Sequence, residues 1–453
     1  MTTRQVLEAL PAGEPAVLDA LPAGPEVHAR GVWRAVGRWI AVLFGWCWRL
    51  GVGALLCMNY LYISGIVVTG WTYRWVQARV VRGWWKKSRF GRQGSFEDFC
   101  AGLGLEASVA RPRWFWQEHV RAALTQPTPD GRPPGTVRLV WRALRLPWHS
   151  LWLNFKVGFL GLFCTFLLTG WGCLLMQFSW QFGWLNSFHK GYEQAFLGPL
   201  LGVLGIVLFI AAMFYVPMAQ VHQAVTGNCW AFFDFRLVWR LIRARLTGYV
   251  GLAVLTALAA LPLHVLATAP ALFVVQGAFG DDFVHYWDTA GDAEVLASLR
   301  YYFLGCCFVL FPALLLLRLT AARIYRSAVL KVLRRGWVTR EQLHPVLAGW
   351  LDRLDLYPPP ARVPRALEKA VRFGGRSLYR GVLYGTLFLA WFGFTVQVYV
   401  GEFLTRHRTA VFLNPTDDLV NDDPLAGFLN HPLVQVPSFD FIPRHLKHAA
   451  DPP

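Results

Sequence analysis

The sequence predicts an all-α protein, a polytopic transmembrane helical bundle of about six spans with basic amphipathic helices at the membrane interface. Hydrophobic residues make up 55% of the chain and charged residues 16%, whereas globular proteins have about 25% charged residues. Several long stretches contain no charged residue, and most of the 44 Lys and Arg residues lie in alternate gaps between those stretches. The net charge of +17 therefore indicates basic membrane flanks rather than a nucleic-acid-binding face.

The predicted spans follow from the length of the charge-poor stretches. About 20 apolar residues, rising 1.5 Å each in a helix, cross a hydrocarbon core of about 30 Å. Six stretches meet this length, namely residues 50–73, 157–184, about 196–221, 247–271, about 299–317 and 381–401. The fifth span requires the side chain of Arg300 to extend toward the interface.

Residues 33–48 are apolar and aromatic, and two interpretations of them stay open. Arg38 and Arg49 leave only ten uncharged residues between them, which is too short to span a bilayer. The large apolar side chains recur at helical spacing, which fits an interfacial helix leading into span one. Alternatively, a tight turn at Gly51 or Gly53 makes a seventh span and places the N-terminus inside.

The orientation follows from the distribution of basic residues. Gaps 74–156, 222–246 and 318–380 hold 33 of the 44 Lys and Arg residues. Basic loops remain on the cytoplasmic side of a membrane, so both termini are predicted to be extracytoplasmic. Frequent Arg, Ala, Gly, Pro and Leu suggest a bacterial source, and hence a multi-pass protein of the plasma membrane.

The spans and gaps divide the chain into segments of distinct composition. They are a polar N-terminal tail (1–32), an interfacial helix with span one (33–73), a basic cytoplasmic loop (74–156), the membrane core with spans two to five (157–317), a basic cytoplasmic loop with a short helix (318–380), span six (381–401) and an acidic, Pro-rich extracytoplasmic tail (402–453).

A basic segment occurs twice just before a span. Residues 138–145 read RLVWRALR and residues 236–243 read RLVWRLIR. On a helix, one face of each segment is basic and the other apolar, and such helices lie at anionic headgroups. The candidate contacts to lipid headgroups of the cytoplasmic leaflet are Arg138, Arg142, Arg145, Arg236, Arg240 and Arg243. We expect both segments to form elbow helices on the membrane surface. Alternatively, the two segments are alike only because the topology requires basic residues at the flanks of spans.

Residues 215–252 contain the second of these segments within a longer pattern. An apolar span ends near Pro217, a small helix and Gly227 lead to the turn Phe233-Asp234-Phe235, and a basic helix runs to Tyr249. This pattern resembles the core of a prokaryotic family of multi-spanning membrane proteins of unknown function. The resemblance implies the same span topology and no particular activity.

The predicted spans contain no Asp, Glu or Lys well inside the hydrocarbon. Intramembrane charges usually mark proton relays and ion pathways, so their absence disfavours an ion-coupled transporter. The candidate intramembrane polar residues are Asn59, Gln177, Gln181 and His264.

A short cytoplasmic helix is predicted after residue 339. Thr339 and Gln342 have the spacing of a capping box. The apolar residues Leu343, Leu347, Trp350 and Leu354 follow on one helical face, before the stop at Pro358 to Pro360. This helix would dock on the continuation of span five or on a partner.

Motifs for chemistry are missing from the sequence. It contains no P-loop, dinucleotide fingerprint, H-E-x-x-H or G-x-S-x-G, and no C-x-x-C pair. The sequence therefore favours a non-enzymatic membrane scaffold or accessory subunit, without cofactor or metal, whose partners are membrane lipids and unidentified proteins rather than nucleic acid. The alternative is a permease or channel for a neutral or lipid-like solute, with a polar cavity lined by Asn59, Gln177, Gln181 and His264.

Overall fold

The structure is a computed structural model that describes residues 31–57, 63–92, 94–102, 112, 114, 136–179, 197–276, 292–357 and 377–397. Every regular element in these residues is a helix, which confirms the all-α prediction for them. The acidic tail, Asn59 and Gln181 lie outside the described residues, as does most of the N-terminal tail.

The first predicted span is divided between two helices. Helix α1 (Gly31–Cys57) includes residues 33–48 and the first part of the span, and α2 (Ile63–Trp85) includes the rest and continues beyond it. A 3₁₀ turn (Arg89–Arg92) and the short helix α3 (Phe96–Gly102) follow.

The first basic segment does not form a separate elbow. Helix α4 (Thr136–Phe178) runs without interruption from the basic segment 138–145 into predicted span two, with Pro147 inside it. The prediction of an elbow is wrong here, because the chain keeps helical geometry through the junction.

The second basic segment does form an elbow. Helices α5 (Leu197–Met213) and α6 (Val216–Thr226) meet at 41°, and a 3₁₀ turn (Cys229–Phe233) leads to α7 (Phe235–Ala244). The axis of α7 is then bent by 92° from that of α8 (Leu246–Gln276). Leu237, Val238, Leu241 and Ile242 are buried on one face of α7.

The residues of the family-like pattern hold this geometry in place. Pro217 lies in the first turn of α6, and Gly227 ends that helix in the left-handed region at φ 67°, where glycine carries no steric penalty. Asp234 caps α7 by accepting a hydrogen bond from the Leu237 amide at 3.1 Å. The hydroxyl of Tyr249 donates to the carbonyl oxygens of Met213 and Phe214.

Helix α9 (Asp292–Arg334) has 43 residues and extends beyond predicted span five at both ends. The residues after Arg318 are good helix formers that pack against α2, α6 and α7. The bounds of span five stay a prediction. A charge ends an apolar run without ending a helix.

The predicted cytoplasmic helix is present, but its capping box is not. After a 3₁₀ turn (Arg340–Gln342), α10 (Pro345–Arg353) begins at His344, whose side chain accepts from the Val346 amide. Thr339 makes no capping hydrogen bond, because the 3₁₀ turn separates it from the α-helix. The predicted apolar face is buried, with Leu347, Trp350 and Leu354 each at most 2% exposed.

The last described element, α11, comprises residues 377–397. Its residue Tyr384 stacks against Trp239 of α7 at 6.3 Å between ring centroids. The hydroxyl of Tyr379 shares a hydrogen bond of 2.6 Å with Thr247 of α8. These contacts attach α11 to the elbow between α7 and α8.

Two described segments are long and apolar enough to cross a membrane, Pro147–Phe178 and Tyr301–Arg334. The bent pairs Gly198–Met213 with Val216–Thr226, and Phe235–Ala244 with Leu246–Pro262, raise this number to four if each pair is one span.

The largest core of the described residues joins helices α2 to α11 around fully buried aromatic side chains. Trp84, Tyr249, Tyr325 and Trp350 belong to it. The Nδ1 atom of His222 lies 2.7 Å from the Tyr325 hydroxyl, so α6 and α9 are also joined by a buried hydrogen bond. Helix α10 belongs to the same core and contacts α6. Its docking on the continuation of span five stays a prediction.

Glycines let two pairs of helices approach closely. A Cβ atom added to Gly158 of α4 would overlap the Ile66 carbonyl oxygen of α2, and one added to Gly70 would overlap the Asn154 carbonyl oxygen. Gly172 of α4 and Gly205 of α5 make a second such contact. These four glycines therefore allow the close approach of α4 to α2 and to α5.

Candidate functional site

A cavity of about 320 Å³ lies among helices α2, α4, α5, α6, α8, α9 and α11. Its walls are largely apolar and include Phe209, Met213, Leu252, Leu314 and Phe394. Protein interiors rarely leave voids larger than a water molecule, and ligand pockets begin at about 300 Å³. The cavity therefore has the size and lining of a small ligand site.

Most polar side chains in the wall are already satisfied. The hydroxyls of Thr165, Thr169 and Thr256 each donate to a carbonyl oxygen one turn earlier in their own helix, at 2.8, 2.9 and 2.8 Å. The Gln220 amide donates to the Thr165 hydroxyl oxygen at 3.0 Å. The threonine hydroxyls have used their hydrogen atoms, whereas Gln220 keeps a second N–H and its Oε1.

Arg318 brings a positive charge to the cavity wall. Its Nη1 donates to the Thr72 hydroxyl oxygen at 2.9 Å, and its Cζ lies 5.0 Å from the centre of the Tyr73 ring. No carboxylate of the described residues forms an ion pair with this guanidinium. A charge removed from water without a counter-ion loses several kcal/mol of solvation, so this wall favours a negative charge in the cavity.

Two further polar groups in the wall lack a hydrogen-bond partner among the described residues. They are the hydroxyl of Tyr73 and the indole N–H of Trp391. Both side chains are buried, at 3% and 1% exposure. Buried polar groups nearly always have partners. Neither atom has surface accessible to water, so these two donors stay unsatisfied without facing a molecule in the cavity.

Gly161 of α4 makes room for the Tyr73 ring. A Cβ added at Gly161 would lie 2.7 Å from Cζ and 3.0 Å from the hydroxyl oxygen of Tyr73. The ring is therefore held between the backbone of α4 on one side and the guanidinium of Arg318 on the other. This packing fixes the direction of the Tyr73 hydroxyl.

Of the four candidate intramembrane polar residues, Gln177 is the one whose side chain the structure describes. Gln177 lies near the C-terminal end of α4, partly buried, and is not in the wall of this cavity. His264 is in α8, but its side chain is outside the described residues, as are Asn59 and Gln181.

The candidate headgroup contacts differ among themselves. Arg236, Arg243 and Arg145 are exposed. Arg240 instead donates from Nη1 to the Trp337 carbonyl oxygen at 3.0 Å and to Gln342 Oε1 at 3.1 Å, so it joins α7 to the segment before α10. Arg138 and Arg142 lie in α4, and their side chains are outside the described residues.

A buried cysteine near the cavity's helices is not suited to nucleophilic chemistry. Burial raises the pKa of Cys100 in α3 to about 12, and the Glu97 carboxylate acts in the same direction. A thiolate is the reactive form of cysteine, and a thiol with this pKa stays protonated at neutral pH. In the described part of the chain, no group of three or more His, Cys, Asp or Glu side chains could hold a metal ion.

Tyr73 and Arg318 were not singled out by the sequence. Each stands at the end of a charge-free run, where an aromatic ring or a basic residue is typical of the membrane interface. The sequence feature that could have identified Arg318 is LLLLRLTAARIY, in which apolar residues continue after the arginine.

Comparisons with protein-family models, with curated proteins and with solved structures find no match to this chain. The resemblance of residues 215–252 to a prokaryotic membrane protein family stays a prediction. The site is therefore interpreted from its own geometry.

Proposed function

We propose that this chain is a plasma-membrane protein that binds a lipid-like solute between its helices, as the binding step of a permease or carrier for such solutes. The observation that carries the proposal is the largely apolar cavity of about 320 Å³ with Arg318 in its wall. A molecule with an apolar body and one polar end would satisfy both kinds of surface.

The cavity supports solute binding over a purely architectural role. The prediction of a scaffold rests on the absence of catalytic motifs from the sequence, whereas the cavity is a feature that the structure contains. In a protein whose helices have only a structural role, close packing increases stability, because the atoms that line a void lose dispersion contacts. A cavity with buried polar groups is instead typical of a ligand site.

The proposed topology keeps six spans, with both termini outside a bacterial plasma membrane. The segments Pro147–Phe178 and Tyr301–Arg334 support spans two and five, and residues 377–397 overlap span six. Arg318 follows Tyr301 by 17 residues, or about 25 Å of helix. With Tyr301 at the outer interface, this places Arg318 near the cytoplasmic edge of a hydrocarbon core of about 30 Å.

Helix α7 is proposed to lie on the cytoplasmic leaflet. Its 92° bend from α8 turns it away from the direction of a span. Arg236 and Arg243 are exposed while Leu237 and Leu241 are buried. Basic side chains near an anionic surface contribute about 1 kcal/mol each, so these two arginines favour contact with headgroups.

The binding of a solute is tested by filling the cavity. Ala224 and Ala321 line it, and we expect A224L and A321L to reduce the amount of lipid that remains bound to the full chain in mild detergent, measured by native mass spectrometry. Added methylene groups occupy the volume that the solute would use.

The matched control is A211L, because Ala211 is exposed on α5 and outside the cavity wall. It should retain as much bound lipid as the unchanged protein. Equal amounts of bound lipid in all three variants would exclude the cavity as the binding site.

A further inference from the structure

Arg318 is the charged residue in the described wall of the cavity. Its guanidinium can only donate hydrogen bonds, and one of its N–H groups donates to the Thr72 hydroxyl oxygen. A ligand that suits this part of the wall must therefore present hydrogen-bond acceptors.

The charge of the wall narrows the choice of acceptor. Arg318 makes one hydrogen bond, to the neutral Thr72 hydroxyl, and no described carboxylate pairs with it. Its guanidinium stays protonated in proteins. A neutral acceptor would leave this positive charge unbalanced, whereas a carboxylate or phosphate would balance it with short, charge-assisted hydrogen bonds.

The position of the charge within the cavity indicates an amphiphile. Arg318 and Tyr73 lie together, with 5.0 Å between the guanidinium carbon and the ring centre. Phe209, Leu252 and Phe394 supply apolar surface elsewhere in the wall. A free inorganic anion would satisfy the charged part and leave the apolar part empty.

We infer that the cavity binds an anionic amphiphile, whose carboxylate or phosphate group accepts hydrogen bonds from Arg318 and whose acyl chain lies against the apolar wall. This inference rests on the proposed function, that the cavity holds a lipid-like solute. It adds the charge of the ligand's polar end and names the residue that recognises it.

The test compares two amphiphiles that differ in headgroup charge. The delipidated full chain in neutral detergent is titrated with palmitoyl lysophosphatidylglycerol, which is anionic, and with monopalmitoylglycerol, which has the same acyl chain and a glycerol group but no phosphate. Native mass spectrometry measures the bound fraction of each. We expect the anionic lipid to bind at least tenfold more tightly, as charge-assisted hydrogen bonds suggest.

Two variants test the recognising residue. R318Q removes the charge and should bring the affinities for the two lipids to within about threefold of each other. R318M also removes the charge, keeps an apolar stem of similar length, and serves if R318Q does not fold.

The matched control is R323Q. Arg323 lies on the same helix, is exposed and does not line the cavity. It should retain the preference for the anionic lipid. If R323Q removes the preference for the anionic lipid as R318Q does, the preference is due to the general positive charge of this surface. That result would overturn the inference.

The remaining outcomes separate the inference from the proposed function. If both lipids bind equally in the unchanged protein and A224L abolishes both, the cavity holds lipid and the anionic assignment is wrong. If neither lipid binds, the proposed function fails as well. If inorganic phosphate alone displaces the anionic lipid at equal concentration, the site recognises a free anion and the amphiphile is rejected.

Discussion

Arg318 and Tyr73 show how a residue's chemistry depends on neighbours that the sequence does not reveal. From sequence, each fits the end of a span, because basic and aromatic side chains gather at interfaces. The structure places them against each other in the wall of a cavity. Their contact joins residues far apart in the chain, and no local pattern encodes the distance between α2 and α9.

At the residue scale, Cys100 offers a test of burial in the short helix α3. Its pKa is raised to about 12 by burial, so at neutral pH almost none of it is the reactive thiolate. We expect iodoacetamide to leave Cys100 unmodified in the folded protein up to about pH 10, as measured by peptide mass spectrometry.

Cys47 is exposed and gives the internal control, because it should be alkylated under the same conditions. Unfolding in denaturant should make Cys100 as reactive as Cys47. Alkylation of the two cysteines at similar rates in the folded protein at neutral pH would show that Cys100 is not buried.

At the element scale, helix identity was predictable and helix ends were not. The buried face of α10 follows from apolar spacing, which any helix must place on one side. Span five was predicted to end near Arg318, whereas α9 ends at Arg334, because hydropathy measures suitability for the hydrocarbon and says nothing about where a helix stops. The two basic segments share six of eight residues yet differ in shape, since Asp234 caps α7 and a bend follows Ala244.

The crossing of α2 and α4 gives a prediction at the same scale. In G158A, the new methyl group would overlap the Ile66 carbonyl oxygen, so the helices must separate. Overpacking of this kind costs about 1–3 kcal/mol, and we expect a lower midpoint of thermal unfolding by differential scanning fluorimetry.

The control for this crossing is G251A. Gly251 is in α8, and a Cβ added there meets no atom within 4 Å. Alanine is the better helix former, so this variant should be as stable as the unchanged protein or slightly more stable. Equal unfolding midpoints for G158A and G251A would contradict the close contact between α2 and α4.

At the scale of the whole molecule, the membrane class was predictable because it depends on composition summed over long stretches. The cavity was not, because it depends on how several helices meet. Asn59, Gln177, Gln181 and His264 were chosen for being polar in apolar runs, whereas the wall donors are an aromatic hydroxyl, an indole and a guanidinium. Aromatic side chains count as apolar in such a search, although their polar atoms still require partners.

The proposed topology has a direct measurement. Reporter fusions after residues 120, 290 and 445 should lie inside, outside and outside the cytoplasm, because 33 of the 44 basic residues are in the gaps assigned to the cytoplasm. Alkaline phosphatase and green fluorescent protein, fused at the same positions, give opposite signals and control for expression. Any other pattern rejects the six-span arrangement.

Helix α9 connects the cavity to the basic end of the molecule as one stiff rod. Between Arg318 and Arg334 it contains neither proline nor glycine, and these 16 steps of helix extend about 24 Å. Along the same stretch it carries Tyr325 and Val332, which belong to the core that also includes Trp350 of α10. Because α9 has no hinge between the cavity and α10, a tilt of α9 at the cavity would also displace the surface around α10.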